Sequence, residues 1–191
     1  MGATIIDIKN VDINEIPKEE VFAIDTNVLV WAHYSQASNV TLKNQPYQVL
    51  EYPSFISRLL NKGNKIVTTN LNITELMGVI ERNEYKIYKA VHNAYNLKFK
   101  AYRQLAQERA NYKKEIDTIM LQIKSMYQNQ IEIVDITDDM IQKFQQEICN
   151  NRCDIFDYIV IDHLKKMGIH NYISDDKDFS TIDDLNLYTT Q

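Results

Sequence analysis

Three features of the chain predict an α/β fold with a mainly parallel central sheet and a long helical insertion. Short apolar runs of strand length recur along it, stretches of helical periodicity separate those runs, and the segment from Val79 to Met167 contains neither glycine nor proline. Thr4–Ile8 reads as a short strand, followed by a polar connection containing Pro17. Val21–Ile24 is a buried-type strand ending at Asp25, and Asn27–Tyr34 begins a helix. Gln45–Lys62 is helical, with an interruption expected at Pro53 and a stop at Gly63. Lys65–Thr69 is the next strand, and Leu71–Ile80 a helix carrying Glu75.

Within the segment free of Gly and Pro, Tyr88, Tyr95 and Tyr102 recur every seven residues, and Tyr112, Ile116, Ile119, Ile123 and Met126 keep three-four spacing. This pattern predicts two long helices forming a hairpin. Ile131–Asp135 then reads as a strand, Thr137 as the cap of a helix to about Cys149, and Asp154–Met167 as a helix stopped by Gly168. Tyr172–Ser174 and Leu187–Tyr188 complete the sheet. The organisation expected is an N-terminal extension over 1–20 and one domain over 21–191, with the insertion at about 81–128.

Composition narrows the class. The chain has 191 residues, of which 45% are hydrophobic and 25% charged, as in an ordinary globular domain. No apolar run is long enough for a membrane span, no secretory signal is visible, and Ile6 stands where a myristoylation site opening on Met1-Gly2 needs Ser or Thr. The expected location is the cytoplasm. Cys149 and Cys153, four apart, would share one side of a helix as reduced thiols, and the histidines do not complete a zinc site. The net charge is −5, yet Glu81–Tyr127 holds ten Lys/Arg and five Asp/Glu. An acidic body with one basic segment fits nucleic acid better than the total suggests. Six of the twelve tyrosines lie in that segment. They suit base stacking, although a packing seam is the better expectation at helical spacing. Lys98, Lys100, Arg103, Arg109 and Lys113 are the candidate RNA contacts.

Ligands of parallel sheets bind beyond the carboxyl ends of strands. Asp25 follows one strand, Ser174-Asp175-Asp176-Lys177-Asp178 follows another, and Glu75 lies early in a helix that follows a third. Asp154 and Asp157 open the helix before the Ser174 strand, with Asp162 further along it. Singly, each acid reads equally well as a helix cap, a solvent-facing acid or a turn residue. Together they fall at one sheet edge, where repelling carboxylates call for cations, and oxygen-only ligands suit Mg²⁺ or Mn²⁺.

In this order, Asp25-Thr26-Asn27, Ile73-Thr74-Glu75-Leu76, Asp157-Tyr158-Ile159-Val160-Ile161 and Ser174-Asp175-Asp176-Lys177-Asp178-Phe179 resemble the motifs of PIN-domain proteins, over roughly residues 21–188. The resemblance implies a three-layer α/β/α fold and a Mg²⁺- or Mn²⁺-dependent endoribonuclease acting on single-stranded RNA, similar to toxins of toxin–antitoxin pairs. Asp25, Glu75, Asp157 and Asp176 match the family's catalytic, metal-binding acids; Asn27, Ser174 and Asp178 match supporting positions, and Asp154 is an additional acid. An antitoxin and a second copy of the chain are the protein partners it implies. A non-catalytic metal-binding RNA-binding or scaffold module is the alternative from another class. An aspartate-nucleophile phosphatase is disfavoured by Asn27, which stands where that chemistry needs a second Asp.

Overall fold

The computed structural model describes residues 2–40, 47–150 and 152–190, so Met1 and the expected helix start at Gln45 lie outside the described residues. The chain builds a six-stranded sheet in the order β1-β6-β5-β2-β3-β4, with every neighbouring pair parallel. The strands are β1 (Thr4–Asp7), β2 (Val21–Ile24), β3 (Lys65–Thr69), β4 (Ile131–Glu132), β5 (Asn171–Ile173) and β6 (Asn186–Thr189). Between them run helices α1 (Thr26–His33), α2 (Ala37–Val40), α3 (Gln48–Lys62), α4 (Asn70–Val91), α5 (Phe99–Tyr102), α6 (Ala106–Met126), α7 (Asp138–Glu147) and α8 (Ile155–Lys166). The expected α/β architecture is therefore present, with helices on both sides of the sheet. Residues 1–20 contribute to it directly, because β1 pairs with β6 as the edge strand.

Strand alternation explains the layers. Successive side chains point to opposite faces. Phe22, Ile24, Ile66, Ile173 and Tyr188 enter a core shared with buried residues of α1, α3, α4 and α6. Ala23, Val67, Tyr172 and Leu187 enter a second core with Val160, Ile161 and Leu164 of α8. In the first core Phe22 meets Tyr188 edge-on, with ring centroids 5.0 Å apart, and Tyr188 stacks on Phe55 at 5.7 Å.

Four sequence expectations change. Pro53 does not interrupt α3, which is continuous from Gln48 to Lys62. Tyr52, Phe55, Ile56 and Leu59 are buried around it, and that packing offsets the backbone hydrogen bond Pro53 cannot donate. Gly63 ends the helix in the left-handed conformation, φ 93°. The strand at Ile131–Asp135 pairs only at Ile131 and Glu132, because its partner β3 turns into α4 at Asn70. Asn70 then takes over the pairing: its Oδ1 accepts from the Val134 N–H at 2.9 Å. Cys149 and Cys153 do not share a helix. Both lie within the connection between α7 and α8, with Cys149 exposed and Cys153 buried.

The fourth change concerns the insertion. It is a helical hairpin of α4 and α6, but the tyrosine heptad does not run through it. α4 ends at Val91, Asn93 turns left-handed at φ 52°, and Tyr95 is 66% exposed. Tyr85 and Tyr88 of α4 instead meet Phe99 and Tyr102 of α5 in one aromatic cluster. Ile119, Ile123 and Tyr127 fasten the returning helix to the main core, and the Tyr127 hydroxyl is 2.7 Å from His33 Nε2 of α1.

Phe22 is fully buried where the sheet meets α3. Phe22→Ala is expected to lose about 3–5 kcal/mol of stability through lost burial and an uncollapsed cavity, read as a lowered urea midpoint.

Candidate active site

The strand order creates a split at the carboxyl edge. From β2 the chain continues outward to β3 and β4, whereas β5 and β6 lie on the other side of β2. At such a switch point the loops after the two central strands part and leave a crevice. Asp25 leaves β2 here and Ser174 leaves β5. The Asp25 N–H donates to the Ile173 carbonyl at 3.0 Å, and the Ser174 N–H donates to the Tyr188 carbonyl at 3.1 Å. The two side chains then bond each other: the Ser174 hydroxyl, fully buried, donates to Asp25 Oδ2 at 2.8 Å. Asp25 also caps α1, with Oδ1 accepting from the Thr26 N–H at 2.7 Å.

From Ser174 the bonding continues into the next loop. Its Oγ accepts from the Asp176 N–H at 3.0 Å, and Asp176 Oδ1 accepts from the Asp178 N–H at 2.9 Å, capping the short 3₁₀ turn Lys177–Thr181. Asp175 faces elsewhere. It accepts from the Tyr52 hydroxyl at 2.7 Å and the Thr190 hydroxyl at 3.0 Å, tying the loop to α3 and the C-terminal strand.

A second series of bonds positions Glu75. Thr69, at the end of β3, caps α4 by accepting from the Asn72 N–H at 3.1 Å and donates to Asn72 Oδ1 at 2.6 Å. Asn72 Nδ2 donates to Thr26 Oγ1 at 3.2 Å, and Thr26 Oγ1 donates to Glu75 Oε2 at 2.7 Å. Thr69, Asn72 and Thr26 are buried and were not among the residues singled out from sequence. The only local signal for them is that a hydroxyl at the end of one strand and a polar residue three further on form a capping pair. Asn27, which was singled out, is exposed on α1. Asp154 caps α8, accepting from the N–H groups of Phe156 at 2.8 Å and Asp157 at 3.0 Å. Asp157, in the first turn of α8, faces Glu75 across a cleft of about 240 Å³.

The acids share one electrostatic field. Burial raises the Asp25 carboxyl to about 7; the Ser174 and Thr26 bonds oppose this, and Glu75 and Asp176 add to it. Burial likewise raises Asp157 to about 8, reinforced by Asp25, Asp154, Glu75 and Asp176. The Tyr172 hydroxyl lies beneath them. It is 1% exposed; burial, then Asp25 and Asp157, oppose its ionisation, and the Asn72 side chain acts the other way. Among the described residues, no three His, Cys, Asp or Glu side chains converge closely enough to hold an ion as they stand. The chemistry of the donors nevertheless fits a hard divalent cation. All are oxygens, and for Asp25 and Asp157 the anionic form is disfavoured by burial and by neighbouring acids, a cost that a bound cation would offset.

Of the basic candidates, Arg103 and Arg109 are engaged inside the hairpin. Both pair with Glu81 of α4, Arg103 through Nε at 2.9 Å, which draws the Glu81 carboxyl below its usual range. Lys113 pairs with Asp117 one turn along α6, and Lys98 and Lys100 are exposed at the hairpin tip. Counted along α4, that tip lies roughly 24 Å beyond Glu75 at the rise of an α-helix.

The raised Asp157 carboxyl has a consequence for stability. Between its usual value of 3.8 and about 8, the folded chain holds a proton that the unfolded chain releases, so the contribution is full below pH 3.8 and is lost as pH rises towards 8. In EDTA, Asp157→Asn is expected to match the parent at the acid end. At the alkaline end it should be more stable by about 1–3 kcal/mol, several degrees of Tm by circular dichroism.

No family model matches the chain and no curated protein matches it. Among solved structures, it is similar to the crystal structure of VapBC2 from Rickettsia felis bound to a DNA fragment from their promoter. The TM-score is 0.46 at 14% identity, covering 88% of this chain and 98% of that chain. No helix among the described residues is long and apolar enough to cross a membrane.

Proposed function

We propose that this protein is a Mg²⁺- or Mn²⁺-dependent endoribonuclease of the PIN type, hydrolysing phosphodiester bonds of single-stranded RNA. The observation that carries the proposal is that burial first, and neighbouring acids second, disfavour the anions of Asp25 and Asp157 at the sheet's switch point: Glu75 and Asp176 act on both, and Asp25 acts on Asp157. Structural carboxylates are usually arranged to lower one another's cost, by pairing with cations as Glu81 does here. Acids left to repel in a crevice mark a functional site. The ordered resemblance of their motifs to PIN-domain proteins supplies the reaction class.

Asp25, Asp157, Glu75 and Asp176 would hold the cation. Once bound, it would acidify an attacking water and stabilise the charge gathering on the phosphoryl oxygens. The chain's own residues set the geometry. Ser174 and the Thr26 N–H take one Asp25 oxygen each, so the carboxylate cannot rotate away from the crevice. Thr26, itself held by Asn72, donates to Glu75 Oε2 and so keeps that carboxylate at the cleft. Asp154, by capping α8, holds the backbone of the turn that carries Asp157. Lys98, Lys100 and Lys113 are the proposed phosphate contacts, joined by whatever of Arg103 and Arg109 their pairing with Glu81 leaves exposed. The resemblance extends the proposal to a toxin with a protein antitoxin as partner, and to a homodimer.

Single-stranded RNA incubated with the protein and Mn²⁺ should be cut, and EDTA should stop the reaction. Asp25→Asn, which preserves shape but removes the anion, is expected to reduce kcat at least ~10²-fold. Cleavage by Asp25→Asn at the parental rate would refute the assignment, and RNA binding without cleavage by the parent would favour a scaffold role.

A further inference from the structure

Phe156 sits one residue before Asp157 on the first turn of α8, and its side chain is 56% exposed. A single exposed apolar residue ordinarily needs no explanation. This one is the aromatic member of the cleft that Glu75 and Asp157 line. It lines the cleft between α4 and α8 together with the apolar Leu71 and Val160 and the acids Glu75 and Asp157. Its backbone is held rigidly, because the Phe156 N–H donates to the capping Asp154 carboxylate at 2.8 Å. The ring is thus fixed to a capped helix start, not to a loop. The cleft's volume, about 240 Å³, is below the ~300–1,000 Å³ of pockets for drug-sized ligands. That volume leaves room for about one ring system. An aromatic face recognises every base alike through stacking, and an unpaired strand presents such faces.

We propose that the cleft between α4 and α8 is a nucleobase subsite, in which Phe156 stacks on one base of a single-stranded RNA. The identity of the ligand rests on the nuclease proposal; the geometry of the cleft does not. With the base against Phe156, the phosphate of the same or the adjacent nucleotide lies at Asp157. The subsite would therefore place the scissile bond by its distance from one stacked base, and duplexes, whose bases are already stacked, would be excluded.

The test is binding of a short fluorescein-labelled single-stranded RNA, followed by anisotropy in Ca²⁺, with Mn²⁺-dependent cleavage measured in parallel. Phe156→Ala should bind about tenfold more weakly, the loss expected of one base–aromatic stack. Phe156→Trp should bind within about twofold of the parent. Phe156→Leu, which keeps an apolar side chain of similar size but no aromatic face, should behave as Phe156→Ala does, and it serves if the alanine variant folds poorly. An abasic nucleotide walked along the RNA should weaken parental binding at one position and have no further effect there in Phe156→Ala. Parental affinity in both Phe156→Ala and Phe156→Leu, an abasic penalty that persists in Phe156→Ala, or no RNA binding by the parent would each overturn the subsite. If the parent binds RNA with this Phe156 dependence yet never cuts it, the nuclease proposal falls and the subsite stands.

Discussion

The hydrogen bond from Ser174 to Asp25 joins the two halves of the sheet at the point where they part. β2 and β5 are hydrogen-bonded neighbours, but the chain leaves them in different directions, one into α1 and the other into the Asp176 turn. Ser174 Oγ serves both: it donates to Asp25 and accepts from the Asp176 N–H. With the Asp176 N–H donating to Oγ, the single hydroxyl proton is left for Asp25, which accepts it as the anion. Without that bond the carboxylate would be buried with less compensation still, and the crevice would lose the group that fixes its floor.

Burial of acids at this edge works against stability. Elsewhere the protein neutralises its buried or half-buried acids: Glu81 between two arginines, Asp162 between Lys143 and Lys166, Asp175 among hydroxyls. At this edge no Lys or Arg pairs with Asp25 or Asp157 among the described residues, and the charged neighbours that act on them are other acids. That contrast within one molecule sets the crevice apart from the protein's other buried and half-buried acids. Two large apolar cores, one on each face of the sheet, supply the stability against which such repulsion can be maintained.

The helical insertion is not an independent appendage. α4 begins as the helix that carries Glu75 and ends as one arm of the hairpin, so the site and the hairpin share a rigid element. α6 returns to bury Ile119 and Ile123 in the main core and to set Tyr127 against His33 of α1, the helix that Asp25 caps. The aromatic cluster of Tyr85, Tyr88, Phe99 and Tyr102 closes the far end. Most of its tyrosines are therefore packing residues, and the exposed aromatic beside the acids is Phe156, outside the basic segment.

Local pattern in the sequence was enough to locate the strands, the α/β class and the acids at strand ends, because strand periodicity, caps and stops are short-range properties. Asp25 after Val21–Ile24 and Asp154 before α8 could be read that way. Local pattern failed where two distant segments had to meet. The heptad of tyrosines could not reveal the turn at Asn93, since a helical period says nothing of where a helix folds back. Pro53 read as a break because the packing that overrides it comes from other strands and helices. The shortened β4 depended on where its partner β3 ends. The roles of Thr26, Asn72 and Ser174 depended on contacts spanning from 46 to 149 residues along the chain, which no local window contains. Sequence alone determined which groups could do chemistry; only the tertiary structure decided which of them are buried together, because desolvation and mutual repulsion exist only once the sheet brings those groups to one edge.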